Sequence, residues 1–144
     1  IAASSMNFDL FATILDYCGV QDLPSDRIVD GVSLKALWSG NIAADSAIHE
    51  ALFYQKGGKA QGVQMPYALD GKIYDFKYYD RVRTENSAFI DQVYKNYLFN
   101  LDLDPAEGYD VSKRYPDIAA ALKQKLLDFR REMKENRRGI IDNE

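Results

Sequence analysis

The segment Val63-Gln64-Met65-Pro66-Tyr67-Ala68-Leu69-Asp70-Gly71-Lys72-Ile73-Tyr74-Asp75-Phe76-Lys77-Tyr78-Tyr79 decides how this chain folds. At its centre, Asp70-Gly71 spells a tight two-residue turn. Both turn positions need positive φ, which glycine adopts freely and aspartate tolerates. β-formers flank it, so the segment reads as a hairpin of Val63–Leu69 and Lys72–Tyr79. Successive strand side chains take opposite faces. Tyr74, Phe76 and Tyr78 then make one wholly aromatic set that should face a core, and Ile73, Asp75, Lys77 and Tyr79 take the other side. Pro66 has no N–H for a ladder, which suggests an edge position or a bulge.

Outward from the hairpin, Ala51–Gln55 reads as a preceding strand, broken by Gly57-Gly58-Lys59. Beyond it, Asp80–Asn96 reads as a long polar connection in which Ala88, Phe89 and Val93 organise a helical turn or two. Long ordered loops in compact domains are often functional. Tyr97–Leu101 is a further strand, and Asp102–Asp110 is rich in turn residues. Pro116–Glu135 is a helix with Pro116 at its first position, Asp117 at the positive end of the dipole and a buried stripe of Ile118, Leu122, Leu126, Phe129 and Met133. The tail from Asn136 should fray.

Toward the N-terminus, Asn7–Cys18 reads as a helix capped by Asn7 and closed by Gly19. Phe8, Phe11, Ile14, Leu15 and Cys18 form its apolar stripe, which makes Cys18 a small core residue. Leu23–Asp26 is loop and Asp30-Gly31 a turn. Ser33 caps a short helix carrying Leu34, Leu37 and Trp38 that Gly40 ends, and a connector of Asn41–Ala47 follows. Helices at the ends and sequential hairpins between them give an α+β fold: a small antiparallel sheet of three to four strands packed against a long C-terminal helix.

Composition bounds the function. With 144 residues, 47% of them hydrophobic, the chain suits a globular fold rather than disorder. Its net charge of −4 argues against nonspecific binding of nucleic acid. No apolar run reaches the ~18 residues of a membrane span. One cysteine and one histidine exclude a disulfide, and a Cys/His zinc site, within a single chain. Ile1-Ala2-Ala3-Ser4-Ser5 lacks the basic start and apolar core of a signal peptide, and the start reads as a cut inside a longer chain.

Four segments carry a resemblance. Phe8-Asp9-Leu10-Phe11-Ala12-Thr13-Ile14-Leu15 with Gly19-Val20 is similar to the Ile-Asp-Leu-Phe-Pro-Thr-Ile-Leu stretch near the end of the large domain of sulfatases. Asp30-Gly31-Val32-Ser33-Leu34-Lys35-Ala36-Leu37-Trp38-Ser39-Gly40 matches their Asp-Gly-x-Ser-Leu-x-x-Leu-x-x-Gly throughout. Asp70-Gly71-Lys72 resembles their hairpin turn. Leu98–Val111, with Asp104-Pro105-Ala106-Glu107 at its centre, followed by Tyr115-Pro116, resembles their Leu-Tyr-Asp-Leu-x-x-Asp-Pro-x-Glu segment and the helix after it. The matched positions are Asp9, Thr13, Asp30, Gly31, Ser33, Gly71, Lys72, Leu98, Leu101, Asp104, Pro105, Glu107 and Pro116, all read as structural. Where the family often has Arg before the hairpin turn and Lys in the return strand, Leu69 and Tyr74 stand.

The resemblance implies that residues 1–45 close a sulfatase large domain and 46–144 form its C-terminal subdomain. The parent would hydrolyse sulfate esters, on sulfated glycans for example, with a formylglycine nucleophile and a divalent cation, usually calcium. It would be periplasmic or secreted. The maturation motif Cys/Ser-x-Pro/Ala-x-Arg is absent here: Cys18 is followed by Gly19-Val20-Gln21-Asp22. No residue of this chain is therefore assigned a catalytic or metal-binding role, and the isolated chain should be inactive. Its partners would be the upstream large domain and a sulfated substrate, with Asp80–Asn96 beside the cleft.

The residues themselves add three candidates. His49 precedes a strand and could approach a cleft, and Arg81 and Arg83 could hold a sulfate or carboxylate through their guanidinium forks. Asp102, Asp104, Glu107 and Asp110 lack the spacing of a calcium loop. Glu107 is expected to accept backbone N–H groups or pair with Arg114. The competing readings are a phosphate or phosphonate ester hydrolase of the same superfamily and a stand-alone module binding glycan or protein.

Overall fold

The computed structural model describes residues 3–20, 30–43, 46–84 and 92–135, the side chains of 82–84 and 92–94 excepted. Its elements are helices α1 (Asp9–Tyr17) and α2 (Lys35–Trp38), strands β1 (Leu52–Lys56), β2 (Lys59–Leu69), β3 (Lys72–Thr84) and β4 (Gln92–Asn100), and helix α3 (Pro116–Glu135). The fold is α+β. The residues group into two compact units, one within Ile1–Glu50 and the other within Ala51–Arg137.

The second unit is an antiparallel four-stranded sheet in the order β1-β2-β3-β4, with α3 on one face. The Asp70-Gly71 hairpin forms as expected: Leu69 pairs with Lys72, and both turn residues have positive φ (51° and 76°). Gly57-Gly58 makes a second tight hairpin between β1 and β2. Pro66 lies beyond the last β1 pair, Leu52 with Gln64, so β2 is locally an edge where the missing N–H would have pointed outward. Val63, Phe76, Tyr78 and Leu98 meet Ile118, Leu122 and Leu126 of α3 in the core, with Tyr74 packed against them. Phe53 stacks on Phe129 with centroids 3.8 Å apart. Arg130 locks helix to sheet, donating from Nε to the Ala60 carbonyl and from its terminal nitrogen to Asp80, each at 2.8 Å.

One expectation for this sheet is corrected. The polar stretch Asp80–Asn96 is not a loop throughout. Asp80–Thr84 continues β3 and Gln92–Asn96 begins β4, paired from Arg81 with Lys95 to Thr84 with Gln92. Arg81, Val82, Arg83 and Thr84 alternate at the strand period, and charge masked that period. Val93 lies in β4; Ala88 and Phe89 fall outside the described residues, as do Leu23–Asp26 and the tail from Asn136.

In the first unit, α1 starts at Asp9, not Asn7. Phe8 holds the N-cap position and has no side-chain group to cap with; the Asp9 carboxylate takes the Met6 N–H. The helix closes as expected, with Gly19 at φ 74°, Gly19 N–H on Asp16 and Val20 N–H on Leu15. Cys18 is exposed, not core. The side of α1 that is buried carries Asp9 and Thr13, and the apolar residues point out: Phe11 is 58% and Ile14 60% exposed. Leu34 holds the N-cap position of α2, and the Ser33 hydroxyl accepts the Lys35 N–H from one residue earlier.

Candidate functional site

Asp9 is the hub of the first unit. Its carboxylate is fully buried and accepts the N–H of Met6 (2.7 Å), the N–H of Val32 (3.0 Å) and His49 Nε2 (2.8 and 3.0 Å to its two oxygens). Burial by itself would raise the Asp9 pKa. The bonds from Met6, Val32 and His49 outweigh it and hold the acid below the ordinary carboxylate range. The edge of Phe8 meets the His49 ring. One turn along, the Thr13 hydroxyl donates to the Asp9 carbonyl and accepts the Leu34 N–H, while Ser33 donates to Asp16. Gly31 passes so close that an added Cβ would lie 2.4 Å from the Phe8 carbonyl oxygen. Asp9, Thr13, Gly31, Ser33 and His49, far apart in sequence, are thus one hydrogen-bonded clamp. Asp30 leads into it on an exposed backbone.

In the second unit, the sheet face away from α3 holds a cluster around Lys77. Its ammonium bonds Glu107 at 2.7 Å and stands over the rings of Tyr54 (4.2 Å) and Tyr79 (5.1 Å). Burial by itself would lower the Lys77 pKa; the bonds to Glu107 and Tyr79 outweigh it and raise it. A lysine so held stays protonated, which suits an electrostatic clamp and not a nucleophile or base. Gln64 accepts from the Tyr54 hydroxyl and donates to Asp75, whose pKa burial pushes up. Tyr79 lies across Gly62, where a Cβ would come within 2.7 Å of its ring.

The Asp-Pro-x-Glu turn covers this face. Asp104 takes the Glu107 N–H on its carbonyl and the Tyr109 N–H on its carboxylate, Pro105 lies inside that turn, and Asp102 takes the Asp75 N–H. Glu107, at φ 56°, is turned onto Lys77; the expected pairing with Arg114 is not made. Leu98 is in the core, and the Leu101 N–H bonds the Asp75 carbonyl. Gly71 and Lys72 lie at the hairpin tip, and Pro116 opens α3. Arg81 is exposed on β3, opposite Lys95; the Arg83 side chain lies outside the described residues. His49 belongs to the first unit and Arg81 to the second.

Sequence reasoning missed Lys77, Tyr54, Gln64 and Arg130. A glycine directly across the ladder from a tyrosine was the available signal for this face. Among the described residues, no three His, Cys, Asp or Glu side chains converge in a way that could hold a metal ion.

No protein-family model matches the sequence, and no curated protein matches it. Solved structures do. A sulfatase from the metabolism of multiple glycosaminoglycans by Bacteroides thetaiotaomicron is similar over 85% of this chain and 24% of its own, at 20% identity and a TM-score of 0.51. A protein solved in complex with its substrate D-glucosamine-2-N,6-O-disulfate is similar over 89% of this chain and 24% of its own, at 20% identity and a TM-score of 0.48. At that identity the likeness is one of fold, and the first of the two carries it. The chain therefore has the fold of one part of a bacterial sulfatase and spans 24% of that protein's length.

Proposed function

We propose that this chain is the C-terminal region of a sulfate-ester hydrolase, shaping the enzyme around a cleft whose chemistry other residues perform. The observation that carries this reading is the shared fold with a sulfatase over 85% of the chain. Two facts support it. Asp9, Thr13 and Ser33, three of the positions that resemble sulfatases, share the hydrogen-bonded clamp around Asp9, and a fourth, Glu107, holds Lys77 in the other unit. Leu37 of α2 is buried, but Phe11, Ile14 and Trp38 of the two helices face outward, as on a helix pair with a second face to cover. In this reading the occupant of that face is the large domain of the same polypeptide.

Formylglycine and a calcium ion would belong to that larger body. The described residues fit neither: Cys18 begins no maturation motif, and no ligand cluster is present among them. The isolated chain is then inactive, and the parent is exported. His49, Arg81 and Arg83 remain the candidates for contact with substrate from this part.

The test is to express the longer reading frame that contains this sequence and measure inorganic sulfate released from an aryl sulfate and a sulfated glucosamine, with a phosphate monoester alongside. Sulfate release by the longer protein and none by the 144-residue chain is expected. Turnover by the chain alone, or release of phosphate but not sulfate by the longer protein, would overturn the proposal.

A further inference from the structure

The outer part of the β3–β4 ladder places two cations face to face. Arg81 pairs directly with Lys95, and both side chains are exposed. Like charges directly opposite one another destabilise an antiparallel pair. Elsewhere Lys35, Lys77, Arg130 and Arg131 are each held by a carboxylate, whereas neither Arg81 nor Lys95 forms an ion pair among the described residues. The chain carries a net charge of −4, so the arrangement is not the overflow of a basic protein.

The alternation of the strands fixes which face this is. Asp80 turns to Arg130 of α3, and Asn96 accepts from the Tyr78 hydroxyl and from Lys123 of α3. Arg81 and Lys95, one residue away from each, therefore belong to the face opposite the helix. Two residues back along that face Tyr79 pairs directly with Tyr97, both half-buried. Phe99 braces the two rings, at centroid distances of 6.3 and 6.0 Å. A cation pair beside a braced tyrosine pair offers two kinds of contact at once. One suits a compact anion; the other suits the C–H face of a pyranose ring.

We propose that Arg81 and Lys95 jointly bind a sulfate or carboxylate of an anionic saccharide, with Tyr79 and Tyr97 as the platform for its ring. The choice of a saccharide rests on the sulfate-ester reading above; the cation pair does not. The cations would be matched by the ligand, which would remove the repulsion between them as it binds.

The test is calorimetric titration of the 144-residue chain with a heparin-derived tetrasaccharide, its desulfated form, a neutral tetrasaccharide and a single-stranded oligonucleotide, all at fixed salt. The tetrasaccharide should bind and the neutral sugar should not. Arg81→Ala and Lys95→Ala should each weaken binding about five-fold, the scale of one exposed charge contact. Arg131→Ala, removing a cation already paired on α3, should leave binding unchanged. Neither single variant should lower the melting midpoint, because each removes a repulsion; that separates lost binding from lost folding. Persistence of binding after desulfation assigns the contact to the carboxylate, and its loss assigns it to sulfate; either supports the proposal. Equal binding of the oligonucleotide, equal binding of the neutral sugar, or no loss in the double variant would sink it. The sulfate-release assay can fail while this binding stands, so the two readings fall separately.

Discussion

Replacing Asp9 by alanine tests the clamp directly. The carboxylate is 0% exposed and receives three donors: the N–H groups of Met6 and Val32 and His49 Nε2. Bonds to a charged acceptor are worth about 1.5–3 kcal/mol each, but they are not additive, and water can enter the vacated space. Leaving those donors without their acceptor costs about 1–3 kcal/mol each where water cannot replace it, so the Asp9→Ala loss should be about 3–5 kcal/mol. Whole-domain stability is only about 5–15 kcal/mol, so the first unit would open readily. Trp38 is the sole tryptophan and lies in α2, so its fluorescence reads this unit in a urea titration. The acid limb gives a second readout. The folded Asp9 pKa is depressed, so its stabilisation is fully present above the ordinary value of 3.8 and is lost as pH falls through the folded value. The part of the acid loss below about pH 4 that Asp9 supplies should vanish in the variant. A Trp38 transition within about 0.5 kcal/mol of the parent, or unchanged exchange protection at the Val32 amide, would refute the reasoning.

Gly62→Ala should cost about 1–3 kcal/mol by thermal melting, because the added methyl meets the Tyr79 ring at 2.7 Å and the Tyr78 carbonyl at 3.1 Å. Arg130→Met keeps the aliphatic packing but drops the bonds to Ala60 and Asp80. It should lose about 1–2 kcal/mol, and a change confined to the salt dependence would mean the Ala60 bond contributes nothing.

The parts of this fold that could be read from sequence are those in which local chemistry and tertiary packing agree. Pro116 and the stripe of Ile118, Leu122 and Leu126 gave α3 its bounds, and Asp70-Gly71 gave the hairpin its register. The failures have one physical form. Periodicity says which residues share a face, not which way that face turns. The stripe through Phe8, Phe11 and Ile14 was real, yet the chain buries Asp9 and Thr13 beneath it instead. Charge likewise hid the outer half of the β3–β4 ladder, where Arg81 and Arg83 alternate with Val82 and Thr84 in a strand. The strand period puts Lys77 on the face away from the core, but nothing local signals that Glu107, 30 residues on, is brought to it.

The two units are stabilised by different arrangements. The second has an apolar core between sheet and α3, with polar clamps outside it. The first buries a carboxylate network alongside Leu34 and Leu37, and leaves Phe11, Ile14 and Trp38 outside. A unit this small is marginal on its own, because a small domain buries a smaller share of the surface its unfolded chain exposes. The hydrogen bonds of Asp9 and Thr13 set the geometry of α1 against the Gly31–Leu34 strip, but net hydrogen bonding contributes modestly to stability. The larger driving force available to α1 and α2 is burial of their outward residues, at roughly 25 cal/mol per Å². That force acts only when something covers them, and under the sulfate-ester reading proposed above it would be supplied by the large domain.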